Sequence, residues 1–251
     1  MMRVLAVYAH SSSKSFTRAI LDEFTKGLAD AGHTFEINDL YANKFNPVYS
    51  ADDFAFFMDE SVPMEILEKM NLRTKVLDAA SAGPLGPLKA VLAKRWLRGK
   101  DLRQIAQGIA QHKPKDVLAE QEKVSRSDAI AVVAPNYWMH FPAILKGWIT
   151  RVFTYGFAYT LKPEGWKGDV SGRVPLLRLR KALIMQPTFF KKEDYESTGL
   201  AEAMRKTIDM WGFEYPGVSD VQHVYFHGIY AVGPETLKQY LQKAYLLGKE
   251  F

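Results

Sequence analysis

The chain has 251 residues, 47% of them hydrophobic and 24% charged, so it can bury a sizeable core and global disorder is excluded. It contains no cysteine, which excludes disulfides, thiol chemistry and thiolate metal sites. A net charge of +5 favours anionic partners, such as phosphate-bearing cofactors, nucleic acid or acidic membrane surface, without separating them.

Arg3–Ala9 is a short continuous apolar run and predicts a strand buried on both faces, as in a parallel sheet. The polar turn Ser11–Ser15 follows. Phe16, Ile20, Phe24 and Leu28 recur at helical spacing and predict a helix over Phe16–Ala31, with Gly32 as its C-terminal stop. His33–Asn38 alternates and predicts a second strand. This opening is a β–loop–α–β unit, whose strands are parallel and whose crossover is right-handed. Residues 40–60 read as a loop and a short helix, with Tyr41–Val48 a candidate site loop. Residues 61–113 are mostly helical by pattern and broken at Gly83–Pro87. They are expected to form an insertion between the second and third strands of one domain spanning residues 1–251, with little apolar mass of their own. Their basic cluster, Lys89, Lys94, Arg95, Arg98, Lys100 and Arg103, reads either as a solvated helix face or as a surface for an anion or a partner.

Asp116–Ser125 predicts a helix, Ala129–Ala134 a third apolar strand and Phe141–Phe153 another helix. Ala182–Met185 follows as a fourth strand, Leu200–Trp211 as a helix, Val218–Phe226 as a fifth strand and Pro234–Leu247 as the closing helix. Apolar strands alternating with helices predict an α/β fold, a three-layer doubly wound parallel five-stranded sheet. No apolar run approaches about 20 residues, so no membrane span is expected. The opening residues lack a leader pattern, and the expected location is cytoplasmic.

Two regions could carry chemistry. The loop before the first helix offers His10, Ser11, Ser12, Ser13, Lys14, Ser15 and Thr17 where a helix N-terminus favours phosphate. It has neither G-x-G-x-x-G nor G-x-x-x-x-G-K-[ST], so a dinucleotide fingerprint and a Walker site are both unsupported, and a solvated cap is the plainer reading. The second region follows the third strand: Pro135, Asn136, Tyr137, Trp138, Met139 and His140 stand at its carboxyl end, where doubly wound sheets bind ligands. Backbone amides there can meet the polar edge of a flat heterocycle and Trp138 can pack on it; a buried aromatic corner is the alternative. His223 and His227 fall in the fifth-strand region and not on a helix, so His140, His223 and His227 offer no helical i, i+4 pair and no metal site is expected.

Pro135-x-Tyr137-Trp138, Phe141-Pro142-Ala143-Ile144-Leu145-Lys146-Gly147-Trp148, Arg151-Val152-Phe153 and Gly156–Thr160 together resemble the NAD(P)H:quinone oxidoreductases. Ala9-His10-Ser11, Ser15-Phe16, Asp39–Ala42, Phe45-Asn46-Pro47 and Ala119-Glu120-Gln121 extend the resemblance, which covers roughly residues 1–60 and 114–195. It implies a flavodoxin-like fold, a homodimer, and FAD as cofactor, with FMN in close relatives. It implies that His10, Ser15, Phe16 and Thr17 hold the phosphate end of the flavin. Pro135, Asn136, Tyr137, Trp138, Met139 and Thr188 would then contact its ring, with Tyr195 the hydrogen-bonding tyrosine. Hydride would pass from NAD(P)H to flavin and on to a quinone-like acceptor by a ping-pong route, with Tyr195 and His140 stabilising negative charge. Neither nucleic acid nor a membrane span enters this reading.

The sequence departs from the pattern in three places. A Thr-Thr-Gly-Gly loop would fall at Pro187-Thr188-Phe189-Phe190, where both glycines are missing; the loop is rearranged or the ring rests on Phe189. The family histidine would fall near Ala201, and His140 stands where glycine is usual. An azo-, nitro- or free-flavin reductase of the same fold, and a regulatory flavoprotein subunit docked on an ion-efflux system through the basic insertion, are the competing readings.

Overall fold

The computed structural model describes residues 1–251. In chain order, β1 (Arg3–Tyr8), α1 (Phe16–Asp30) and β2 (Thr34–Asp39) form the expected opening unit. A 3-10 turn at Ala51–Phe57 leads into the insertion, α2 (Met64–Lys69), α3 (Leu72–Ser81), α4 (Gly86–Leu97) and α5 (Leu102–Ala110). Then come α6 (Lys115–Ser125), β3 (Ala129–Val133), α7 (Ala143–Val152), β4 (Tyr159–Leu161), α8 (Pro163–Trp166) and β5 (Arg173–Pro175). The chain closes with β6 (Lys181–Pro187), α9 (Lys192–Ser197), α10 (Leu200–Met204), a π-helical segment Arg205–Glu214, β7 (Asp220–Phe226) and α11 (Pro234–Lys249).

Five strands form one parallel sheet in the order β2-β1-β3-β6-β7. The order reverses between β1 and β3, so a crevice opens beyond their carboxyl ends. Alternate residues of each central strand feed opposite cores: Leu5 and Val7 pack with α6, α7 and the π segment, while Val4, Ala6 and Tyr8 pack with α1 and α11. That explains the continuous apolar runs of β1 and β3. Helices α1 and α11 touch through glycines: a Cβ on Gly27 would lie 2.1 Å from the Tyr245 carbonyl oxygen, and one on Gly248 equally near that of Phe24.

Three features differ from expectation. β4 and β5 pair antiparallel as a small separate sheet, too short to leave a periodic signature. The helix expected over Leu200–Trp211 ends early and widens into π turns through Glu214. Its buried residues Met204, Ile208 and Phe213 are spaced four then five apart, which suits π winding and not 3.6. The insertion also builds a core of its own. Met58, Val62, Leu67, Leu72, Leu97, Ile105 and Ala106 close around Tyr155, whose hydroxyl lies 2.6 Å from that of Ser61.

Candidate flavin site at the carboxyl end of the sheet

The region after β3 is built on backbone strain. Tyr137 and His140 exchange both backbone hydrogen bonds, at 3.0 and 3.1 Å, closing a two-residue turn. Its central residues, Trp138 and Met139, have φ of 49° and 58°. That is the type I′ conformation, for which Asn-Gly is the natural sequence. A non-glycine residue there costs about 1–2 kcal/mol, and such strain concentrates at ligand sites. The strain has a product: Trp138 is 98% exposed, and the amides of Trp138 and Met139 donate to no group in the chain. An indole face and two free donors therefore stand together above the sheet.

The loop before α1 faces the same crevice. Ser15 caps the helix, its hydroxyl accepting from the Arg18 amide at 3.1 Å. The amides of Ser13, Phe16 and Thr17 have no partner in the chain, and the helix dipole adds positive potential to them. His10 accepts the Ser12 amide through Nδ1 at 2.9 Å, so its proton sits on Nε2, facing outward as a donor. Phe16 packs against the α1–α11 core and Thr17 is buried, so these two contribute backbone amides to the loop.

The far wall is formed by the loop after β6. Thr188 is buried: its hydroxyl donates to the Phe190 carbonyl at 3.0 Å, and its amide donates to Phe226 at 2.9 Å. Phe189 and Phe190 turn outward, and Phe189 lies 5.9 Å from the exposed Tyr230 ring. The loop is thus rearranged into an aromatic rim. Tyr137 belongs to the same rim; burial pushes its hydroxyl pKa up, and nearby Tyr41 and Tyr230 add to this.

Tyr195 and Asn136, 59 residues apart, meet: Asn136 Nδ2 donates to the Tyr195 hydroxyl at 3.0 Å. Tyr195 is buried, which raises its pKa against the opposing effects of Thr188 and Asn136. It lines a cleft of about 590 Å³ shared with Tyr225, His223, Asp209 and Arg205. His140 is not brought to Tyr195. Its Nδ1 accepts the Phe141 amide at 2.8 Å, and burial, then Lys146, lowers its pKa, so it is a neutral Nε2–H donor packed edge-on to Phe141.

A buried polar chain behind the site was not foreseen. Gln186 Nε2 donates to the Pro135 carbonyl at 3.3 Å. That carbonyl can only accept, so the amide orientation is settled and Gln186 Oε1 faces His223 Nε2 at 2.9 Å. Nε2 must then carry a proton. Nδ1 lies 2.7 Å from an Asp209 carboxylate oxygen. Tyr225 stacks on His223 at 4.1 Å, with its hydroxyl 3.2 Å from Nδ1. Asp209 reaches the chain from the π segment. The sequence signal was faint: one histidine on β7, with an acid whose inward aim depends on π winding.

Below the crevice, Arg151 pins the loop after β2. It donates from Nε to the fully buried Asp53 at 2.8 Å, and from Nη1 to the Asn46 carbonyl at 2.7 Å and to Asp116 at 2.6 Å. Glu120 accepts from Asn38, Lys123 and the Trp148 indole, tying α6 to β2 and α7. The Glu120-Gln121 and Phe45-Asn46-Pro47 motifs are therefore framework beneath the site.

A sequence model of the flavodoxin-like fold family matches residues 2–246. The chain is 28% identical over 202 residues to a ribosyldihydronicotinamide dehydrogenase-like protein of Penicillium crustosum, covering 80% of this chain and 62% of that one. It is 29% identical over 177 residues to NAD(P)H dehydrogenase [quinone] 1 of Rattus norvegicus, covering 70% and 52%. The match thus spans only half to three-fifths of those relatives' length. The solved NAD(P)H:quinone oxidoreductase from Methanothermobacter marburgensis superposes with a TM-score of 0.68 at 29% identity, covering 99% of this chain and 98% of that one. With a five-stranded order of β2-β1-β3-β6-β7 and a match over nearly its whole length, the chain belongs to the flavodoxin-like fold family, and within it is similar to the NAD(P)H:quinone oxidoreductases.

Proposed function

We propose that the protein is a flavin-dependent oxidoreductase that passes hydride from NAD(P)H to a bound flavin and then to a quinone-like acceptor. The observation that carries this reading is the strained Tyr137–His140 turn, which spends conformational energy to hold an exposed indole and two unpaired amides at the switch point of the sheet. The residues present suit a flavin. The free amides of Ser13, Phe16 and Thr17 and the Nε2–H of His10 match a phosphate. Those of Trp138 and Met139 match carbonyl and ring-nitrogen acceptors of an isoalloxazine, with Trp138 packing on its face. FAD is the cofactor proposed, with FMN able to use the same contacts.

When bound, the flavin supplies the hydride chemistry by accepting at N5 and releasing to the acceptor. The chain's part is to bind, orient and exclude water. Pro135 to Met139 would set the ring, and the rim of Phe189, Phe190 and Tyr230 would shield it. Tyr195 is not itself at the surface, so we assign it the role of holding Asn136 and hence the turn. His140, neutral and with Nε2–H available, would donate to a developing oxyanion. Because donor and acceptor would use one face in turn, ping-pong kinetics are expected. A second copy of the chain is proposed to cover the exposed aromatic rim, giving a homodimer.

The test is a visible spectrum of the purified protein, with the released flavin identified by mass. Oxidation of NADH and NADPH with menadione follows. A protein that stays colourless after reconstitution with FAD and FMN would overturn the proposal.

A further inference from the structure

The insertion carries a surface that the flavin reading does not use. From residue 79 to residue 100 there is no acidic side chain, while Lys89, Lys94, Arg95, Arg98 and Lys100 supply five cations. These five equal the excess of the whole chain, 33 basic against 28 acidic residues. Lys89, Lys94, Arg95 and Arg98 are exposed, and none is within ion-pair distance of a carboxylate. Among these cations stand four large apolar side chains in solvent: Leu85, Leu88, Val91 and Leu92 are 57–63% exposed. At 100° per residue they fall within an arc of about 120° on α4, with Lys94 and Arg98 on one flank, Lys89 on the other and Arg95 between. The helix is held from behind by Leu97, which enters the insertion core, so the exposed face is not free to roll inward.

An apolar stripe bordered by unpaired cations is the chemistry of an interface between hydrocarbon and anionic headgroups. A twofold contact between copies through this face would set the cations against themselves, which argues against a second chain as its cover. An acidic protein would satisfy the charges, but it leaves the solvent-facing Leu and Val stripe to a chance complement. We propose that the α3–α4 hairpin docks the protein peripherally on an anionic lipid surface. Leu85, Leu88, Val91 and Leu92 enter the boundary between headgroups and acyl chains, and Lys89, Lys94, Arg95 and Arg98 lie against lipid phosphates. No helix of the structure is long and apolar enough to cross a membrane.

Because the chain has no cysteine, Leu88→Cys creates a unique thiol for an environment-sensitive fluorophore. The full chain is mixed with vesicles of phosphatidylcholine alone or of equal phosphatidylglycerol and phosphatidylcholine. The proposal expects a blue shift and co-sedimentation only with the anionic vesicles, weakening as salt is raised. Val91→Glu with Leu92→Glu, and separately Lys94→Glu with Arg98→Glu, each reduce vesicle affinity by at least about tenfold. All variants are compared with the unmodified chain by circular dichroism and thermal melting. Three results overturn the proposal: no binding to anionic vesicles, binding without a shift of the Leu88→Cys label, or a concentration-dependent shift without lipid, which would mean self-association. Retained anionic-vesicle binding by both folded double variants overturns it as well.

Discussion

Replacing Trp138 by glycine separates the cost of the site from its purpose. The side chain is 98% exposed, so removing it forfeits almost no buried apolar area in the free protein. Its φ of 49° costs about 1–2 kcal/mol for a non-glycine residue, whereas the extra unfolded-state freedom of glycine costs about 0.5–1 kcal/mol. The balance favours the variant by 0 to about 1.5 kcal/mol, which in a chain of this size is a rise of roughly 0–6 °C in the melting temperature of the flavin-free protein. Flavin affinity moves the other way. Loss of a stacking aromatic costs about 1–3 kcal/mol, a factor of roughly 5–150 in Kd. Differential scanning fluorimetry of the apoprotein and titration with FAD and FMN measure the two arms. A fall of more than about 4 °C would show that the indole supports the fold. An unchanged Kd for both flavins would remove Trp138 from the site and with it the reason for the strained turn.

Further outcomes are expected. His223→Leu strands the Gln186 carbonyl oxygen and the Asp209 carboxyl, at about 1–3 kcal/mol or more for each buried group; urea denaturation reads the loss, and flavin affinity falls as Pro135 loosens. No loss in Cm would refute the hydrogen-bonded chain from Asp209 to Pro135. Arg151→Met leaves Asp53 buried and unpaired and costs about 3–5 kcal/mol, seen as a lower Cm; a neutral result would mean that Asp53 is relieved by water. Burial, with Lys146 beside His140 and Lys192 beside His227, holds both imidazoles below their usual pKa of 6.5. Unfolding releases them to take up protons, so their contribution is complete above pH 6.5 and is lost as pH falls toward the folded values. Urea midpoints should drop between pH 7.5 and 5.5, with a shallower drop for His227→Phe; a rise would contradict the sign.

How far the sequence speaks depends on the range of the interaction. β1 and β3 are legible as continuous apolar runs because both their faces are covered, and α1 because one stripe meets the sheet. The order of residues after β3 likewise marks a place in the fold, since the end of a central strand at the switch point is a property of topology. Tyr137, Trp138 and the loop from His10 to Thr17 are accordingly expected at one end of the sheet from topology.

What the sequence cannot carry is orientation set by distant partners. Local propensity gives no hint that Trp138 and Met139 take left-handed backbone, because neither favours it; the turn is held by hydrogen bonds between Tyr137 and His140 on a rigid strand end. Thr188, Phe189 and Phe190 carry the residue types of a buried strand, yet only Thr188 is inside, drawn in by Phe226 and its own turn. Asp209 looks like one surface acid among 28 acidic residues until π winding brings it to His223. The chain by itself thus determined the five-stranded parallel sheet flanked by helices, and pointed to the carboxyl end of β3 as the neighbourhood of a site. Tertiary structure alone decided which polar groups in that neighbourhood are spent on each other and which are left free to meet a ligand, because hydrogen bonds between residues far apart in sequence leave no periodic trace in it.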